Sequence, residues 1–195
     1  MSQTLRCFLA FELPEAVRDL LKGLLAHLKT RPLDVRWVRP QNIHLTMVFL
    51  GNIPEDSLGS IKEAVGKTCL KYGPFEAGLT RVGFFGSKRS PRVLWVGMSG
   101  DIHHLANFRD ALLKALGPFG IKKETRPFRP HLTLGRFRKG AVGDKLLDTV
   151  LDEYSHIEAG TWILKELVLF KSQLTPKGAI YTKLCSWPLE GQNKG

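Results

Sequence analysis

Apolar and polar positions alternate with a period of two over residues 4–13, where Cys7, Leu9 and Phe11 share one face, and this predicts a strand. The period then lengthens. Pro14 suits a first helical turn, and Val17, Leu20, Leu21, Leu24, Leu25 and Leu28 recur at the spacing of a helix with one buried stripe. Residues 35–38 and 43–50 read as further strands, the second closed by Gly51 and Asn52. Pro54 opens a second helix with Leu58, Ile61, Val65 and Cys69 inward. Phe75, Ala77 and Leu79 alternate as a strand, residues 92–98 form another, and residues 86–91 between them make an exposed, basic loop.

The second half repeats the plan. Asp101 caps a helix with Ile102, Leu105, Phe108, Leu112 and Leu116 inward, ended by Gly117 and Pro118. A basic, proline-bearing loop over residues 121–130 leads into a strand at residues 131–137. Residues 145–154 are helical in pattern, and residues 162–174 and 179–187 pair around Pro176, Lys177 and Gly178. Strands interleaved with helices, plus hairpin-like pairs, predict an α+β fold. No linker divides the chain, so one domain is expected over residues 1–195, with a frayed tail from Gly191.

Within this plan a short motif occurs twice, close to half the chain apart: His44, Leu45, Thr46 behind Pro40, and His131, Leu132, Thr133 behind Pro130. Two related lobes, each lending one strand to a shared cleft, account for the echo. Residues two apart on a strand face the same way, so each motif sets an imidazole beside a hydroxyl while Leu45 and Leu132 turn inward. In-line displacement at phosphorus needs a base at the entering oxygen and an acid at the leaving oxygen. Imidazole, with an ordinary pKa near about 6.5, serves either role. Thr46 and Thr133 supply donors for the non-bridging oxygens.

Other chemistries fit less well. Catalytic zinc takes about three protein ligands, and two single histidines on separate strands fall short. His103 and His104 are adjacent on a helix, so their side chains diverge by about 100° and chelate poorly. No glycine-rich phosphate loop or Ser-His-Asp order is present, and neither metal nor cofactor is expected. His27 and His156 read as solvent-facing, and Phe49, Phe84, Phe85, Phe128 and Trp95 as core rather than base-stacking platforms.

Charge sharpens this picture. Lys+Arg 29 against Asp+Glu 18 gives a net charge of +11, which favours a polyanionic partner. Arg31, Arg36 and Arg39 precede the first motif, Lys122, Lys123, Arg126 and Arg129 precede the second, and Arg136, Arg138 and Lys139 follow it. The apolar run from Leu5 to Phe11 is too short and too charged for a signal peptide, and no stretch approaches a membrane span. Cys7, Cys69 and Cys185 are widely spaced and suit small apolar positions in a reducing compartment, so a cytoplasmic location is expected.

Five stretches in order carry a resemblance: residues 6–14, residues 36–51 around His44, residues 91–95, residues 128–136 around His131, and residues 170–181. Together they resemble the two-histidine phosphoesterase superfamily, specifically the RNA 2′,3′-cyclic phosphodiesterases once called 2′-5′ RNA ligases. The resemblance implies a bilobal fold, with two pseudo-symmetric lobes of antiparallel sheet around a central cleft and helices outside. It implies hydrolysis of an RNA-terminal 2′,3′-cyclic phosphate to a 2′-phosphate, with ATP-independent 2′-5′ ligation as the reverse; a monomer is expected. By that likeness His44 is the proton donor and His131 the proton acceptor. Thr46 and Thr133 hold the phosphate, Arg136 adds positive charge, and Phe49 packs near the nucleoside. Arg136 and Phe49 stand five residues beyond their histidines, on the opposite face of an ideal strand, so a twist or bulge is required, and Gly51 and Gly135 are the places expected to permit it. A non-catalytic RNA-binding module and a phosphodiesterase for small cyclic nucleotides are the competing readings.

Overall fold

The computed structural model describes residues 3–122, 127–141, 145–176 and 178–192. The elements run β1 (Thr4–Phe11), α1 (Glu15–Lys29), β2 (Val35–Trp37), β3 (Leu45–Pro54), α2 (Leu58–Cys69), β4 (Phe75–Ser87) and β5 (Ser90–Gly100). The remainder are α3 (Ile102–Leu116), β6 (His131–Phe137), α4 (Lys145–Glu153), β7 (Trp162–Leu164), β8 (Glu166–Thr175) and β9 (Gly178–Pro188). The described strands form one antiparallel sheet in the order β7-β4-β5-β6-β3-β1-β8-β9, with β2 paired to β6.

That order is a palindrome. Exchanging β1 with β5, β3 with β6, β8 with β4 and β9 with β7 reverses it onto itself. The chain therefore holds two β-α-β-α-β units, β1-α1-β3-α2-β4 and β5-α3-β6-α4-β8. In each, the last strand crosses to the other unit's sheet: β4 pairs with β5, and β8 with β1. The two-lobed α+β expectation holds, although the lobes are not the two halves of the sequence. The seam between them is narrow. Strands β3 and β6 share a single paired position, Leu45 with Leu132, and both side chains are fully buried.

Periodic burial explains the helices. Helix α1 buries Val17, Leu21, Leu24, Leu25 and Leu28, and α3 buries Leu105, Phe108, Leu112, Leu113 and Leu116. Each fully buried leucine contributes on the order of 1.5–3 kcal/mol relative to exposure, so these stripes hold the helices against the sheet. No helix among the described residues is long and apolar enough to cross a membrane.

Several expectations need correction. Strand β3 continues through Gly51 and Asn52 to Pro54, because pairing with β1 carries it as far as Thr4. A 3-10 turn at Glu55–Ser57 then precedes α2. Asp101 does not cap α3 with its side chain: its carboxylate accepts the Glu76 backbone N–H at 2.8 Å. The strand read over residues 162–174 is two strands, since Trp162–Leu164 pairs with β4 whereas Glu166–Thr175 pairs with β1. Gly191 is tied down by donating to the Tyr72 carbonyl at 3.0 Å. Lys123, Arg126, Lys177 and the end of the tail lie outside the described residues. Of the aromatic residues read as core, Phe84 and Phe128 are partly covered and pack against it, whereas Phe49 is 60% exposed and Phe85 and Trp95, also partly covered, stand apart from it.

Candidate active site

Two bulges at matching places solve the geometry of the cleft strands. Opposite β1, Thr46 faces Ala10 and Val48 faces Leu9, so Met47 is an extra residue in β3. Opposite β5, Thr133 faces Trp95 and Gly135 faces Leu94, so Leu134 is an extra residue in β6. An extra residue reverses the alternation beyond it. Phe49 therefore returns to the face of His44 and Thr46, and Arg136 to the face of His131 and Thr133. Of the two glycines, Gly135 directly follows the Leu134 bulge, where a bulge was expected, and Gly51 lies further along its strand. Gly51, at φ +68°, sits beyond the Met47 bulge at a second register shift, and Gly135 leaves room for β2, since a Cβ there would stand 2.3 Å from Val35.

Both bulges are held by their carbonyl groups. The Met47 carbonyl accepts from Arg109 Nε at 3.1 Å, and the Leu134 carbonyl accepts from the Val38 N–H at 2.8 Å. Arg109 is buried, with its guanidinium 5.0 Å from the centre of the Phe128 ring. A buried arginine on an otherwise apolar helix stripe was the sequence signal for this role, and pattern reading passed over it.

The two histidines are set in the same way. His44 Nδ1–H donates to the Asn42 carbonyl at 2.8 Å, and His131 Nδ1–H donates to the Arg129 carbonyl at 2.6 Å. Each bond reaches back two residues and directs Nε2 outward as the nitrogen available to a ligand. Antiparallel pairing of Leu45 with Leu132 turns His44 toward Thr133 and Thr46 toward His131. The backbone positions of diagonal neighbours across such a pair stand about 7–8 Å apart, which puts the two histidines on one face of the seam.

Their surroundings differ. His44 stacks on Phe8 at 4.7 Å between ring centres and meets Phe170 at 6.3 Å and the edge of Tyr181 at 5.3 Å. Burial among these rings pushes its pKa down to about 4, against a smaller opposing effect of the Asn42 carbonyl. His131 meets the edge of Phe85 at 4.8 Å. Its pKa is also lowered, mainly by burial, with the Arg129 carbonyl opposing and the Arg136 charge adding to the fall. Burial raises the Tyr181 pKa, and the nearby charges of Arg136 and Arg6 oppose that rise. Tyr181→Ala is expected to let water reach His44 and raise its pKa, whereas Tyr181→Phe should leave it near the native value. NMR titration of the His44 ring distinguishes the two; equal pKa values in native and Tyr181→Ala proteins would remove the aromatic wall as the cause.

A cleft of about 520 Å³ opens over this face, lined by Thr46, Phe49, His131, Thr133 and Arg136 among others; His44, two residues before Thr46, is not part of this lining. Among the described residues four arginines line it, Arg92, Arg109, Arg129 and Arg136, and no carboxylate does. Among the described residues no group of three or more His, Cys, Asp or Glu is placed to hold a metal ion. Of the basic residues singled out beside the motifs, Arg129 and Arg136 reach this lining. Arg31 pairs instead with Glu153 and Arg138 with Asp34. Arg92 and Arg109 come from β5 and α3, distant in sequence from either motif.

Relatives share this architecture. The family model described as LigT like Phosphoesterase matches residues 11–95 and again residues 96–181, in keeping with two repeated units. An RNA 2′,3′-cyclic phosphodiesterase of Methanothermobacter thermautotrophicus is 35% identical over 182 residues, covering 92% of this chain and 96% of its own. One of Archaeoglobus fulgidus is 32% identical over 92% of this chain and 98% of its own. Among solved structures, a Thermus thermophilus protein superposes with a TM-score of 0.80 at 27% identity, covering 96% of this chain and 99% of its own. The apo form of E. coli LigT gives a TM-score of 0.73 at 26% identity, covering 96% and 98%. With matched segments spanning most of its length and histidine strands paired at the seam, the chain belongs to the LigT-like phosphoesterase family.

Proposed function

We propose that the protein hydrolyses the 2′,3′-cyclic phosphate at an RNA end to a 2′-phosphate, by metal-independent catalysis with His44 as proton donor and His131 as proton acceptor. The observation that carries this reading is the matched pair of imidazoles. Both are fixed through Nδ1 and set diagonally across the one paired position of β3 and β6, and His131 lines a cleft that four arginines share. The names of the relatives point to the same substrate.

In the reaction His131 Nε2 takes a proton from water as the water oxygen bonds to phosphorus. The bond from phosphorus to O3′ breaks on the opposite side, and protonated His44 gives its Nε2 proton to O3′. Water's oxygen and one proton stay on the product phosphate, and a proton passes from His131 back to His44 through solvent to restore the pair. Thr46, Thr133 and Arg136 hold the non-bridging oxygens, where fixed donors stabilise the charge that builds up. Phe49 offers an exposed ring for the terminal nucleoside. His44 is neutral in the empty site, and the bound phosphate monoanion supplies the opposite charge that raises its pKa toward the donor role.

The test uses protein stripped of metal and assayed in EDTA with an RNA ending in a 2′,3′-cyclic phosphate, the product read by phosphorus NMR. Turnover to a 2′-phosphate is expected. Salt-sensitive binding without turnover would leave only an RNA-binding module, and a 3′-phosphate product would overturn the assigned direction of opening.

A further inference from the structure

A second cavity, of about 790 Å³, lies against His131. It shares Phe85, Phe128, Arg129 and His131 with the first cleft, so the His131 ring is a ridge between two connected spaces. Trp95 and Phe85 form its aromatic wall, with ring centres 5.3 Å apart, and Trp95 stands 6.5 Å from His131. Neither belongs to the two apolar cores of the molecule. The backbone makes room for the indole: a Cβ on Gly83 would come within 2.2 Å of its six-membered ring, and one on Gly97 within 3.2 Å. Only glycine at these positions lets a large ring lie across the β4–β5 surface while remaining partly open to solvent. Arg81 lines the same cavity, Arg129 stands between the two spaces, and Asp152 contributes one opposing charge.

An aromatic face that packs on no core, beside cations and continuous with a phosphate cleft, is the chemistry of a nucleobase platform. Resting on the function proposed above, we infer that this cavity is a second nucleotide subsite. It takes the base of the nucleotide preceding the cyclic-phosphate end, stacked on Trp95 and Phe85, while Arg129 meets the phosphodiester that joins the two nucleotides. The enzyme then distinguishes an RNA end from a free nucleoside cyclic phosphate by what lies across the His131 ridge.

The experiment compares a nucleoside 2′,3′-cyclic phosphate with a dinucleotide ending in the same group. One stacked base is expected to raise kcat/KM for the dinucleotide by at least roughly fivefold. In Trp95→Leu that ratio should collapse toward one, and Trp95→Phe should restore most of it. A native ratio near one, with turnover of both substrates intact, overturns the subsite and leaves the proposed reaction standing. Absence of turnover on either substrate defeats the reaction itself. A second measurement needs no variant: a dinucleotide with 5-iodouracil in its first position and a terminal phosphate should photocrosslink, in the native protein, to a peptide carrying Trp95 or Phe85. Crosslinking confined to other peptides overturns the assignment.

Discussion

His44→Ala and His131→Ala should each lower kcat/KM on a cyclic-phosphate RNA end by about 10²–10⁴-fold while the protein stays folded. Each ring is held by a backbone carbonyl on the face opposite the buried Leu45 and Leu132 side chains, so its loss leaves the Leu45–Leu132 seam intact. The double variant should be little worse than either single one, because acid and base act in the same step. The pH dependence follows from the same two rings. If His44 must carry a proton, activity falls above its pKa, and if His131 must be neutral, activity falls below its own. In the free enzyme the first lies near about 4 and the second below its ordinary value. The bell of kcat/KM therefore has its maximum on the acid side of His131's ordinary range, with apparent pKa values that belong to the pair. In the complex the phosphate monoanion raises both, so the bell of kcat should move to higher pH. Stopped-flow or discontinuous assays of both parameters from acid to neutral pH check this. A kcat/KM that keeps rising into the alkaline range would contradict the assignment.

Much of this was legible in the chain, for identifiable reasons. The period-of-two and helical patterns located the strands and helices because burial on one face dictates them, and the strand at His131–Phe137 lies where alternation places it. The paired motif located both imidazoles because strand geometry relates residues two apart. Three things were hidden. The crossing of β4 and β8 between lobes depends on pairing between strands far apart in sequence, about which local pattern is silent. The bulges at Met47 and Leu134 leave apolar residues in apolar surroundings, so neither interrupts the pattern. The wall of Phe8, Phe170 and Tyr181 around His44 comes from three other stretches of chain, and a ring on a strand looks the same in sequence whether it meets a histidine or a leucine. Trp95 and Phe85 were assigned to the core on composition, and only the bare backbone at Gly83 and Gly97 reveals the space made for the indole.

Arg136→Gln is expected to lower kcat/KM by about 10²–10³-fold, the range for losing one fixed donor to a developing oxyanion. A second effect accompanies it. The Arg136 charge helps to hold His131 below its ordinary pKa, so its removal raises that pKa, which NMR titration of the His131 ring reads directly. Arg136→Lys separates the two. A lysine keeps the charge, and with it the lowered His131 pKa, but it lacks the planar fork that meets two phosphate oxygens, so much of the rate loss should remain. A native rate in Arg136→Gln would show that the guanidinium does not face the phosphate. The position also bears on how the duplicated site acquired a direction. The Met47 and Leu134 bulges are equivalent under the palindromic exchange of β3 with β6, yet the residue that each returns to the cleft is Phe49 on one side and Arg136 on the other. Two histidine strands alone would treat both sides of a phosphorus atom alike. On the proposed reaction, an aromatic ring on one side and a cation on the other would break that symmetry, drawing the nucleoside toward β3 and the phosphate charge toward β6, so that His44 and His131 would perform different halves of one displacement.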